Sequence, residues 1–141
     1  MATLTTQVYE IISLNGDNVG SSYINTINNV NYVDNRNMSC PSGSTTEIFK
    51  FSNVPGAGQF VTSSFKYGRV TNLSSVPIQL YVSSSATNAS FLISTGSSFM
   101  LSTSQITGSV SPSSFTLDNI HSISVAPSGA AAQIEYFIAT T

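Results

Sequence analysis

The chain carries one histidine, His121, with Asp118 three residues before it. An imidazole that holds a serine hydroxyl and is itself oriented by a carboxylate is the arrangement that makes serine a nucleophile. Serine abounds here, but no G-x-S-x-G elbow presents one. On an extended strand, an offset of three sends Asp118 and His121 to opposite faces, so His121 reads as an ordinary polar residue at a strand start. Asp17-Asn18, Asp34-Asn35 and Asp118-Asn119 pair a carboxylate with an amide, the oxygen donors that calcium prefers. None lies in a D-x-[DN]-x-[DN]-G loop closed by glutamate, and turn capping is the favoured role. Zinc needs clustered cysteine and histidine, and the chain has one of each. Pro55-Gly56-Ala57-Gly58 lacks the G-x-x-x-x-G-K pattern of a phosphate loop. Asn37, Asn72 and Asn88 each begin an N-x-S triplet, at a frequency that chance explains in a chain so rich in Asn, Ser and Thr. Catalytic, metal and cofactor sites are therefore all assigned as none, and the expectation is that the protein is not an enzyme. Six tyrosines, Tyr9, Tyr23, Tyr32, Tyr67, Tyr81 and Tyr136, could stack on sugar rings. Half-buried strand residues with wet hydroxyls are the commoner case.

Length and composition bound what must position such residues. A chain of 141 residues fits a single domain, 1–141, and buries roughly two thirds of its unfolded surface. Charged residues make up 7%, against about 25% in ordinary domains. Ser, Thr and Asn stand in their place. The apolar residues are mostly Ile, Val, Phe, Tyr and Leu in alternation, which a disordered tail does not need. Four basic residues and a net charge of -2 offer little to a phosphate backbone, so no nucleic-acid partner is expected. A surface with so little charge resists association weakly, which implies that much of it meets a partner. Cys40 is the single cysteine, so no internal disulfide forms. The amino terminus MATLTTQVYE has no signal-peptide pattern, and no window approaches the roughly 20 apolar residues of a membrane span. The expectation is a soluble chain with no membrane partner.

The clearest local signal is Phe65 to Val82, two strands joined by a polar turn over Asn72–Ser75. Val76, Ile78, Leu80 and Val82 occupy alternate positions and share a face; Pro77, Gln79 and Tyr81 share the other. Pro77 cannot donate to a ladder, so this strand starts there or lies at an edge. Thr3 to Leu14 predicts a first strand, ended by Asn15-Gly16-Asp17-Asn18, residues that tolerate positive φ. Ser21 to Val33 reads as extended, since four Asn in thirteen residues disfavour helix. Asp34 to Ser44 is the longest expected loop, and Glu47 to Val54 a strand turned back by Pro55–Gly58. Ser83 to Ala89 reads as a polar loop. Phe91-Leu92-Ile93 and Phe99-Met100-Leu101 read as strands buried on both faces or placed at a subunit contact. Ser102 to Ser114 reads as a loop, followed by strands at Phe115–Leu117 and Ile120–Val125, a turn at Pro127-Ser128-Gly129, and a last strand, Ala132 to Ala139. In that strand Ile134, Tyr136 and Ile138 share one face. About eight short strands with no helix predict an all-β fold, an antiparallel, jelly-roll-like β-sandwich.

The segments SSFKYGRVTNLSSVPIQLYV and SFLISTGSSFMLS and the ending QIEYFIATT, in a charge-poor chain rich in Ser, Thr and Asn, resemble the small structural proteins of tailed-bacteriophage virions. They are particularly similar to those of phages infecting marine cyanobacteria. The resemblance implies a non-enzymatic virion protein made in the host cytoplasm, most simply a capsid decoration or cement protein. It implies as partners the major capsid protein or other virion proteins, and a homo-oligomer with a trimer favoured. A tail, neck or fibre component, or a glycan-binding module for host polysaccharide, is the alternative. Pairing with a neighbour's exposed strand needs no charged side chains, and chain ends are free to exchange. The candidate contact residues are accordingly Val8, Tyr9 and Ile11 at one end and Ile134, Tyr136 and Ile138 at the other.

Overall fold

A computed structural model describes residues 2–52, 54, 59–60, 64–84, 87–103, 105–110 and 113–141. Every regular element in it is a strand. In chain order they are β1 (Ala2–Leu14), β2 (Asp17–Val30), β3 (Tyr32–Cys40), β4 (Thr46–Phe51), β5 (Gln59–Phe60), β6 (Phe65–Asn72) and β7 (Ile78–Ser83). They continue with β8 (Asn88–Ile93), β9 (Ser98–Leu101), β10 (Gln105–Val110), β11 (Ser113–Asp118), β12 (Ser122–Pro127) and β13 (Ala132–Thr140).

One sheet has the order β5-β4-β12-β7-β8 and the other β3-β13-β6-β9. Neighbours are antiparallel except β4 and β5. Between the eight principal strands, β3, β4, β6, β7, β8, β9, β12 and β13, the chain changes sheet at every link but β7 to β8. That is the arrangement of an eight-stranded jelly roll, and the expected antiparallel sandwich is the observed fold. Two hairpins stand apart from the sheets, β1–β2 and β10–β11.

The sandwich closes because alternate side chains on each strand point inward. Ile78, Leu80 and Val82 from β7 and Ile123 and Val125 from β12 meet Ile134, Tyr136 and Ile138 from β13 and Val70 from β6, all buried. Burying each such aliphatic or aromatic side chain contributes about 1.5–3 kcal/mol. Phe49 forms the aromatic centre, with ring centroids 4.9 Å from Phe51, 5.4 Å from Phe60 and 5.8 Å from Phe65.

Several expectations are corrected. Phe65–Asn72 and Ile78–Ser83 do not pair with each other; the Asn72–Pro77 segment carries the chain from one sheet to the other. Pro77 precedes an interior strand, the first of its two expected placements. The expected loop Asp34–Ser44 is largely strand β3, an edge strand whose polar residues face water or cap the core. The expected loop Ser102–Ser114 contains β10 and the start of β11, because Ile, Thr and Val suit a paired ribbon however many serines separate them. Phe91–Ile93 and Phe99–Leu101 are not buried on both faces: β8 and β9 are edge strands, with Leu92 66% and Met100 50% exposed. The turn expected at Pro55–Gly58, together with Pro112, lies outside the described residues.

Asn72 secures the crossover. Fully buried, it donates from Nδ2 to the carbonyls of Val76 (2.8 Å), Ile93 (3.2 Å) and Ser94 (3.3 Å). Its Oδ1 accepts from the backbone N–H (3.0 Å) and hydroxyl (2.6 Å) of Ser74. Its own N–H donates to the Ser97 carbonyl, and its carbonyl accepts from Gly96 N–H. One side chain thus ties β6, the crossover and the β8–β9 link. Burial also removes Asn72 from use as a glycosylation acceptor. Asn72→Ala leaves buried carbonyls without donors and is expected to cost about 2–3 kcal/mol. Chemical denaturation measures this, and a loss below about 0.5 kcal/mol, the range of an ordinary surface change, would contradict the assigned role.

Candidate interaction surface

The feature that departs most from a closed sandwich is the β1–β2 hairpin. Among the described residues these two strands pair only with each other, in register from Leu14↔Asp17 to Leu4↔Ile27. Asn15 (φ 52) and Gly16 (φ 90) form the two-residue turn. Positive φ at both positions is the I′ geometry that suits the strand twist. The base of the hairpin is anchored: Leu4 and Ile27 pack on Val30, Tyr67, Phe137 and Ala139, on the outer face of the β3-β13-β6-β9 sheet. A cleft of about 260 Å³, lined among others by Val8, Tyr23, Tyr67 and Met100, separates the next stretch from that sheet.

From Tyr9 to Ile24 every residue is exposed, so the tip reaches about 20 Å further at 3.4 Å per residue. Period-two alternation and the pairing register put Ile12, Leu14, Val19 and Tyr23 on one face of this arm and Tyr9, Ile11 and Ile24 on the other. Their exposures run from 58% to 67%. Both faces are apolar and both backbone edges are unpaired among the described residues, the condition that strands use to join other chains. Gly20 lies opposite Ile11. A Cβ there would meet the Glu10 carbonyl oxygen at 2.2 Å, so only glycine permits this close pairing.

The six candidate contact residues divide between two places. Tyr9 and Ile11 are exposed on the arm, and Val8 is half-buried where the arm leaves the body. Ile134, Tyr136 and Ile138 are instead core residues, and β13 is paired on both sides, with β3 and β6. Their alternation marks the inner face of a central strand, so as partner contacts they are corrected. The expected contact strand, Thr3 to Ile12, includes Ile12 but not Leu14, Val19, Tyr23 and Ile24, which the hairpin register sets beside it. Their signal was the adjacent pair Ile11-Ile12 beside an Asn-Gly turn, since consecutive apolar residues on a strand occupy opposite faces.

The polar candidates serve the fold. Asp34 caps no turn; its Oδ2 accepts from the Tyr136 hydroxyl at 2.7 Å and its Oδ1 from Arg36 Nε at 2.7 Å. Burial, then the hydrogen bond and charge of Asp34, push the Tyr136 pKa from 10.0 up to about 12. His121 sits between β11 and β12, its N–H donating to the Ser83 carbonyl and its carbonyl accepting from Phe51 N–H. Its Nδ1 is buried and has no hydrogen-bond partner among the described residues. Cys40 is buried, and burial raises its thiol pKa. Among the described residues no three of His, Cys, Asp and Glu gather as a metal site would require. Among the described residues no helix is long and apolar enough to cross a membrane.

No protein-family model matches the sequence, and no curated protein matches it. Among solved structures the chain is similar to one from work described as "Bacillus endospore appendages form a novel family of disulfide-linked pili". The TM-score is 0.45 at 13% identity, covering 78% of this chain and 87% of that one. At that score the likeness carries no functional inference.

Two outcomes are expected. Gly20→Ala should shift the NMR amide resonances of residues 9–24 and leave those of the sandwich strands in place; shifts spread through the sandwich would contradict an arm anchored only at its base. For Tyr136, a raised folded pKa means that stability is fully present below pH 10 and is lost as pH rises through about 12. Melting temperature measured against pH should fall across that window, and less steeply in Tyr136→Phe. Equal slopes would show that Tyr136 is not the group responsible.

Proposed function

We propose that this chain is a non-enzymatic structural subunit of a repeated assembly, with the β1–β2 arm as its docking element. The finer reading is a bacteriophage decoration or cement protein on the capsid surface, contacting the major capsid protein. The observation that carries the proposal is the arm, a paired ribbon exposing apolar side chains on both faces beyond the body that anchors it. A two-stranded ribbon is marginal in water by itself, and exposed apolar patches of this kind mark interaction sites. Such a ribbon becomes stable when a neighbour covers it.

The low charge of the chain fits the same use, since main-chain pairing and apolar contact need few ionic groups. A glycan-binding role is less well supported. Tyr9 and Tyr23, both well exposed, lie on opposite faces of the arm and make no common stacking platform. The Asp34–Ser44 segment, expected as the longest loop, is mostly strand and leaves less irregular chain to present side chains to a sugar.

Immunogold labelling of purified phage particles with an antibody to this chain tests the finer reading. Label spread evenly over the heads is the expected result. Label restricted to the tail or neck would reassign the subunit to joining or adsorption, and particles without label would overturn the virion assignment.

A further inference from the structure

We propose that the arm of one copy adds as an extra strand to the free edge of β3 in a second copy of this chain. This deepens the assembly-subunit reading, on which it rests, by naming the arm's partner. Area supports it first. The seven large apolar side chains of the tip, at 58% to 67% exposure, leave about 800 Å² accessible, which is the share one partner contributes to a stable protein interface.

The match in kind supports it further. Both faces of the arm tip are apolar, so the receiving edge should offer apolar surface on both of its faces. β3 does so: Tyr32 and Val33 are consecutive, hence on opposite faces, and are 53% and 52% exposed. The other edge strands are poorer hosts. β8 has six residues and exposes Leu92; β9 has four and exposes Met100; β5 has two. With nine residues, β3 is the longest free edge of the two sandwich sheets, and it pairs only with β13.

Charge does not oppose the contact. Residues 2–30 contain Glu10 and Asp17 and no Lys or Arg, whereas the four cations of the body, Arg36, Lys50, Lys66 and Arg69, are matched by four acids, Asp34, Glu47, Asp118 and Glu135. Arg36 is on β3 itself, and its side chain is 56% exposed even while it bonds Asp34. A two-faced apolar ribbon thus has an edge with apolar residues on both faces, and an exposed guanidinium beside them, on every other copy. Arm and β3 are different surfaces, so the contact closes as a two-fold dimer when two arms exchange reciprocally and otherwise propagates to a ring or an open filament.

Cross-linking between full-length single-site variants tests this. Cys40 is fully buried and stays in place. Mixing an Ile12→Cys chain with a Val33→Cys chain and adding a short thiol-to-thiol cross-linker should give covalent dimers. Dimers from Ile12→Cys alone would mean arm-to-arm pairing, and dimers from Ile12→Cys with Leu92→Cys would move the contact to β8; either overturns the proposal. Sedimentation of the unmodified chain should show oligomers, and the double variant Ile11→Ser/Ile12→Ser should weaken association at least about tenfold. Its melting temperature should not change in the dissociated state, since neither side chain is buried by its own body. A chain that stays monomeric throughout overturns the second-copy partner while leaving the structural-subunit reading to the particle-labelling result.

Discussion

The inward rows Ile78, Leu80 and Val82 on one sheet and Ile134, Tyr136 and Ile138 on the other remove each other from water. That mutual burial holds the two sheets together, and the rest of the architecture follows from where it stops. Strands that alternate against an opposing sheet become β4, β6, β7, β12 and β13. Strands at the margins, β3, β8 and β9, cover one face and leave apolar residues at the rim. In β1 and β2 the alternation continues past the point where the body ends. Leu4 and Ile27 have a sheet beneath them; Ile12, Leu14 and Val19 on the same face do not.

Polar groups at the boundary of this core are handled by a few buried hydrogen bonds and by two ion pairs. Asn72 supplies the hydrogen bonds at the crossover, where backbone groups would otherwise be buried without partners. Asp34 receives the Tyr136 hydroxyl at the edge of the core and is balanced by Arg36. Arg69 and Glu135 pair on the outer face of the same sheet. The arm holds two acids and no cation, whereas in the body four cations are matched by four acids.

Much of this was legible in the sequence because period-two alternation and turn chemistry are local signals. Leu14-Asn15-Gly16-Asp17 specified the arm's turn, and the β7 and β13 rows specified two core faces. What was not legible depends on partners distant in sequence. The same alternation in Ile134, Tyr136 and Ile138 fits an exposed terminal strand or a central one, and only pairing with β3 and β6 decides. The Asp34–Cys40 stretch looked like a loop because its polar residues face water or the rim. Its role as a strand comes from hydrogen bonds to β13, which composition does not record. The exposed arm was half visible: Tyr9 and Ile11 were singled out, but Val19 and Ile24 matter only once the hairpin register sets them beside β1 and beyond the body.

The sandwich buries its own core, and the arm is the part proposed to be completed by a neighbour. Hydrogen–deuterium exchange of residues 9–24, compared between the dissociated chain and the assembled state, tests that claim most directly. The predicted result is rapid exchange at the outward-facing amides of the arm in the free chain and strong protection on assembly, with the sandwich strands protected in both. Equal, fast exchange of the arm in the assembled state would mean that the contact lies elsewhere and that the arm is not the docking element.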